Sequence, residues 1–367
     1  MKGGVAEPGH ARYLATRHFG SLDGLRCLSI LPVLWHHATP RPLPGIWGKG
    51  PAGVDLFFCI SGFLITTLLL REKARSGTIA FGAFYARRAL RIFPLYYLTL
   101  LCYLAFALRL PEGTPQRGHF LHTLPFYATF TANWFADFGV THPILFAFAW
   151  SLCVEEQFYA FWPWLVRACS LGGALVVIGS LLAFDWLLEH GYLLSLGAPI
   201  QRVVTSFSAP IGLGSLLALL LHQPSCFRVL GSVLGRFWSA PAALALALTL
   251  LAWPSAPLFA FQASLAALVG ACVMKEGHAL APLLRLRAVS YVGTVSYGLY
   301  LLNSSAFGAV RRLFPSHANC AGLVFWVGLP LSLALAALSH RTIEARFLRI
   351  RERYRAPRDD RSEPARS

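Results

Sequence analysis

The chain has 367 residues, of which 56% are hydrophobic and only 13% charged, about half the ~25% charge of a typical soluble domain. Its net charge is +16, from 32 Lys and Arg against 16 Asp and Glu. These figures exclude a disordered chain, a collagen-like fibre and an ordinary soluble globule, and leave a polytopic membrane protein if the apolar residues come in runs of ~20.

They do. Eleven apolar runs fall at approximately 22–38, 53–70, 92–110, 120–136, 144–166, 171–188, 203–221, 237–253, 257–274, 289–308 and 321–340. At ~1.5 Å rise per residue, ~20 helical residues cross a ~30 Å hydrocarbon core. The connections are short and hold Gly, Pro and most of the charge, with no internal repeat. One membrane domain is therefore expected over 22–344, between an N-terminal segment 1–21 and an Arg-rich tail 345–367. The first run opens near Leu22 without a small-residue cleavage pattern, so no cleavable signal peptide is expected.

The 120–136 run is the weakest, broken by His122, Pro125, Asn133 and Trp134. Treating it as re-entrant or interfacial leaves ten spans and puts both termini on one side. That arrangement assigns 24 Lys and Arg to the inside and seven to the outside, with Arg26 in the first span. Eleven spans spoil this asymmetry, so the positive-inside rule favours ten spans with both termini cytoplasmic. The expected fold is an all-α polytopic bundle of about ten transmembrane helices plus one re-entrant or interfacial segment. In this setting the +16 charge fits cytoplasmic loops and anionic lipid rather than nucleic acid. The eight cysteines contain no C-x-x-C pair, and neither a disulfide framework nor a zinc site is expected.

Ionisable groups inside spans are costly, so each is a functional candidate. In the first span, Arg26 and His37 are eleven residues apart, which puts them on one helix face and ~16 Å apart along the axis. An imidazole there can act as a general base. The alternative is that both side chains snorkel to opposite headgroup layers. His36 lies off that face. Asp55 opens the second span and can pair with an Arg or hold a turn. Arg88 and Arg91 are i, i+3 at the start of the third run, a fork pair suited to phosphate or to a positive-inside anchor. His119, His122, His142 and His317 fall in outer loops without metal-ligand spacing, so no metal is expected. Glu155 and Glu156 sit mid-way along 144–166. Such a pair can orient an imidazole or carry a proton, or can be a structural pair bonded to Arg, Tyr or Gln157. Asp185 reads as a packing residue.

The motifs LDGLRCLSILPVLWHHA, GVDLFFCISGFLITTLLL, FYARRALRIFPLYYL, WSLCVEEQFYAFWPWL and SYGLYLLN follow one another in this order. From about Ser21 to Glu344 the chain resembles the acyltransferase-3 family of bacterial membrane O-acyltransferases. The family's Arg-x10-His signature falls on Arg26 and His37, its R-x-x-R element on Arg88 and Arg91, its carboxylate pair on Glu155 and Glu156, and its G-V-D opening on Gly53, Val54 and Asp55. Two departures stand out. Asn303 follows SYGLYLL where a His is common, and Ala345–Arg346 follows T-I-E where Lys–Pro is frequent. Neither is expected to touch the centre, although Asn303 is expected to alter the acceptor cavity. The appended hydrolase-like domain of some relatives is not expected here.

The resemblance implies an enzyme of the bacterial inner membrane. Its partners would be acyl-CoA, most simply acetyl-CoA, a carbohydrate acceptor and membrane lipid. Arg26, Arg88 and Arg91 would clamp the donor phosphates on the inner side. His37 would deprotonate the acceptor hydroxyl, with Glu155 or Glu156 orienting it or stabilising its imidazolium and Asp55 in support. O-antigen or exopolysaccharide is the expected acceptor, with peptidoglycan or a glycosylated small molecule as alternatives. A transporter or flippase of a lipid-linked sugar is the competing class, because transporters also bury Arg, His and Glu.

Overall fold

Each of the eleven apolar runs is occupied by helix. A computed structural model describes residues 8–39, 44–136, 146, 148–191, 202–203 and 206–354. His142, Arg41 and the tail beyond Tyr354 lie outside the described residues. No strand occurs among the described residues.

The helices that matter below are α1 (Pro8–Ala15), α2 (Gly20–Ala38), α3 (Ala52–Ser76), α4 (Phe81–Leu108), α5 (Pro115–Ala128), α6 (Ala132–Phe135), α7 (Ala149–Ala168) and α8 (Leu171–Glu189). They are followed by α9 (Ala209–His222), α10 (Pro224–Leu234), α11 (Ser239–Ala252), α12 (Leu258–Met274), α13 (Ala281–Leu284), α14 (Arg287–Thr294), α15 (Ser296–Leu313), α16 (Ala321–Ser339) and α17 (Ala345–Glu352). A π-helical turn over His340–Glu344 joins the last two.

By length and apolarity alone, four helices can cross a membrane: α3, α4, α8 and the continuous stretch Ala321–Glu352. The α9–α10 pair, bent by 112°, makes a fifth if it counts as one span. The helices α2, α7 and α15 fall outside this group for a physical reason. Their polar side chains, including Asp23, Arg26 and His37, the Glu155–Gln157 trio, and Asn303 with Arg311, lower their hydropathy. Each of these three helices carries part of the candidate site, which α4 completes with Arg88 and Arg91.

Close backbone approach sets how these helices meet. A Cβ on Gly53 would lie 2.2 Å from the Ser29 carbonyl of α2, so the G-V-D opening of α3 needs glycine there. A Cβ on Gly62 would lie 2.0 Å from the Ile211 carbonyl of α9, and Ser215 Oγ donates to the Gly62 carbonyl at 3.3 Å. Small residues let backbones touch where there is little hydrophobic force between helices in lipid. At the other end of α3, Arg71 donates to the Thr16 and Tyr13 carbonyls at 2.6 and 2.8 Å. That bond pair docks α1 against the bundle.

The weak run over 120–136 becomes α5, a tight corner and the single turn α6. With 14 residues, α5 rises ~21 Å, short of a ~30 Å hydrocarbon core. Its C-terminal carbonyls would be orphaned there. Side chains satisfy them instead: Tyr96 donates to Tyr127 O at 2.8 Å, Tyr97 to Ala128 O at 2.9 Å and Gln157 to Phe130 O at 2.8 Å. Asn133 and Gln157 also exchange amide hydrogen bonds of 3.1 and 2.8 Å. Phe130 turns the corner at φ 54°, the only non-glycine with positive φ among the described residues. Its ring stacks on Tyr96 at 4.4 Å, which holds a conformation that bulky residues avoid.

Candidate functional site

Helix α2 carries the site from end to end. It runs unbroken through Pro32, so Arg26 and His37 do share one helix. At the Arg26 end, Arg26 Nη1 donates to Asp23 Oδ1 at 3.0 Å. Asp23 was not singled out from the sequence, although its i−3 spacing to Arg26 is the signal for such a pair. Arg26 lies within charge–charge range of Arg91 and Tyr159. Arg88 lies within range of Arg91, Tyr159, Glu155 and Glu156. Helices α2, α4 and α7 therefore bring five of the seven expected residues, Arg26, Arg88, Arg91, Glu155 and Glu156, into one arginine–carboxylate group.

Inside this group the bonding is uneven. Glu155 Oε1 accepts from Ser61 Oγ at 2.5 Å and from the Tyr159 hydroxyl. The Arg88 guanidinium lies over the Tyr159 ring at 5.4 Å and the Phe84 ring at 5.9 Å. Its Nε is buried without a hydrogen-bond partner, as is Glu156 Oε1. Buried polar atoms are rarely left unsatisfied, and exceptions mark sites where a ligand can complete the bonding. Gln157 is committed to Asn133 and Phe130, so it does not serve the carboxylates.

At the other end of α2, His37 Nδ1 lies 2.8 Å from Asn303 Oδ1. Asn303 is fully buried (0% exposed) and donates through Nδ2 to Leu299 O at 2.9 Å and Tyr300 O at 2.6 Å. Two expectations are corrected here. Asn303 does touch the centre, and the ring-nitrogen partner of His37 is this amide rather than Glu155 or Glu156. Glu155 is held on α7 by Ser61 and Tyr159, and neither carboxylate bonds to His37 among the described residues. Arg311 Nη2, also from α15, donates to the His37 and Ala38 carbonyls at 3.0 Å each, capping the C-terminus of α2. The His36 and Tyr300 rings flank His37 at 5.9 and 6.5 Å.

Helix α15, the SYGLYLLN segment, links the two ends. Tyr297 donates to the Ile92 carbonyl on α4 at 2.6 Å, one residue past Arg91. Tyr300 bonds Ser151 Oγ at 2.5 Å and donates to Phe148 O at 3.0 Å, and lies within charge–charge range of Glu155. Asn303 then reaches His37. Asp55 stands apart. The charge acting on it is the Glu189 carboxylate rather than an Arg, and it makes no hydrogen bond or ion pair among the described residues.

The profile of the acyltransferase domain family matches residues 19–341 of the chain. The chain is also similar to an O-acetyltransferase-named protein of Staphylococcus aureus strain COL, at 35% identity over 161 residues, 42% of this chain and 26% of that one. It resembles YrhL of Bacillus subtilis strain 168, named for peptidoglycan O-acetylation, at 29% identity over 361 residues, 89% of this chain and 54% of that one. The peptidoglycan O-acetyltransferase OatA of Listeria monocytogenes is 30% identical over 155 residues, 40% of this chain and 24% of that one. The chain thus spans between about a quarter and about half of these relatives' lengths. No solved structure gives a significant match.

Proposed function

The chain belongs to this acyltransferase family, and we propose that it moves an acetyl group from acetyl-CoA to a hydroxyl of a surface carbohydrate. Family membership replaces the transporter reading. O-antigen or exopolysaccharide is the proposed acceptor class, and the names of two relatives favour peptidoglycan as the alternative. The proposed setting is the bacterial inner membrane, with ten spans, a re-entrant α5–α6 corner and both termini cytoplasmic. The 24-to-seven division of Lys and Arg supports it.

One observation carries the mechanism: a single helix bears Arg26 at one end and His37 at the other, each held by partners at its own end. Arg26, Arg88 and Arg91 bind the donor phosphates, with the unsatisfied Arg88 Nε supplying a donor for them. The pantetheine arm extends along α2 across the ~16 Å to His37. Glu156 Oε1 accepts a hydrogen bond from an amide N–H of that arm. His37 takes the acceptor's hydroxyl proton while the oxygen attacks the thioester carbonyl. The C–S bond then breaks, and the imidazolium returns its proton to the CoA thiolate.

The test is transfer of label from radiolabelled acetyl-CoA to the host's own cell-envelope carbohydrate in membrane vesicles. His37→Ala should lower the rate by about 10²–10⁴, the usual worth of a general base. Full activity in a variant present at wild-type level overturns the proposal.

A further inference from the structure

We infer that Asn303 is the positioning residue of His37: its amide oxygen fixes the imidazole as the Nδ1–H tautomer and leaves Nε2 as the basic nitrogen. This rests on His37 being the base. The argument begins with the amide. Both carbonyls reached by Asn303 Nδ2, those of Leu299 and Tyr300, can only accept. The reverse amide orientation would set the amide oxygen against those two oxygens, so it is excluded. The oxygen is therefore the atom 2.8 Å from His37 Nδ1. Ser304 Oγ donates to the same oxygen at 3.3 Å, in keeping with its being an acceptor. An amide oxygen has no proton to give, so His37 Nδ1 must carry the hydrogen.

Neutral imidazole has one N–H, and a proton on Nδ1 leaves the Nε2 lone pair free. Asn303 is fully buried, so water does not compete for the bond. The backbone of His37 is held from the same helix by Arg311, which fixes the ring's root while Asn303 fixes its plane. The rings beside it are those of His36 on α2 and Tyr300 on α15, and the Arg311 charge also lies within range. Tyr300 is committed to Ser151 and Phe148. No carboxylate bonds to His37 among the described residues. The amide thus selects the tautomer without placing a negative charge beside the ring.

The same vesicle assay tests this, with radiolabelled acetyl-CoA and the host's cell-envelope carbohydrate as probes. Asn303→Leu keeps the volume and removes the acceptor. Its saturated rate should fall by about 10²-fold, the lower end of what a positioned base contributes, with the acetyl-CoA KM within about twofold. Asn303→His keeps one ring nitrogen that can accept from His37 and one N–H that can donate to the α15 carbonyls, and should recover part of that loss. A purely structural role would instead lower the amount of folded protein in both variants and leave the rate per folded molecule unchanged. The inference is overturned if Asn303→Leu keeps more than half the rate, or if Asn303→His is no better than Asn303→Leu. An inactive His37→Ala beside a fully active Asn303→Leu removes the positioning role alone. An active His37→Ala removes the base itself.

Discussion

Glu155 and Glu156 are neighbours in sequence with opposite bonding: Glu155 Oε1 accepts from Ser61 and Tyr159, whereas Glu156 Oε1 is buried without a partner. The first arrangement ties α7 to α3 and belongs to the fold. The second leaves a carboxylate oxygen without a protein partner among the described residues, open to a substrate donor.

The two glutamates should therefore separate under substitution. Glu155→Gln weakens two hydrogen bonds to a charged acceptor, worth about 1.5–3 kcal/mol each at most, and should lower the melting temperature of detergent-purified protein. Glu156→Gln breaks no bond in the free protein, so it should melt at about the wild-type temperature. Its transfer rate should fall by about tenfold, the worth of about one hydrogen bond to the substrate. Equal melting temperatures for the two variants would overturn this division.

Arg88 should report on the donor. Its guanidinium is held over Tyr159 and Phe84 while Nε lacks a partner, so the side chain is oriented before a ligand arrives. Arg88→Ala should raise the acetyl-CoA KM by about tenfold or more, equivalent to about 1.4 kcal/mol of lost binding. Arg88→Lys should recover only part of it, because an ammonium cannot reproduce the planar fork. An unchanged acetyl-CoA KM in Arg88→Ala would remove the phosphate role.

The helices and the weakness of the α5 segment were legible because hydropathy and breaker residues are local properties. Arg26 and His37 were legible together because one helix carries both, and helical period is a property of adjacent residues. The partner of His37 was not. Asn303 lies 266 positions away, and nothing in a period or a spacing says which polar residue of one span will meet another. The expectation of a carboxylate there followed from chemistry that a neutral amide also satisfies. Ser61 and Glu155, 94 positions apart, escaped for the same reason. Nothing local in the sequence marks Arg311 as the residue that caps α2 at the His37 carbonyl.

The Arg26 end of α2 has an anchor that responds to pH. Ser21 Oγ lies 3.0 Å from His278 Nε2 and 3.3 Å from Arg285 Nε. The guanidinium can only donate, so the serine oxygen accepts from Arg285, and the same hydroxyl shares a hydrogen bond with His278. His278 is buried (1% exposed), and burial, followed by the Arg285 charge, holds its imidazole below the usual histidine range. The unfolded chain, titrating near ~6.5, therefore binds a proton that the folded chain resists. This contribution to stability is complete above ~6.5 and declines as pH falls from there toward the lower folded value. His278→Gln cannot be protonated, and its amide oxygen can accept from Ser21. Melting temperatures taken at about pH 7.5 and about pH 5.5 should fall less in His278→Gln than in the wild type, by about 2 °C or more. Equal falls would mean that no proton is linked to folding at this position, and that Ser21 and Arg285 hold α2 independently of the imidazole.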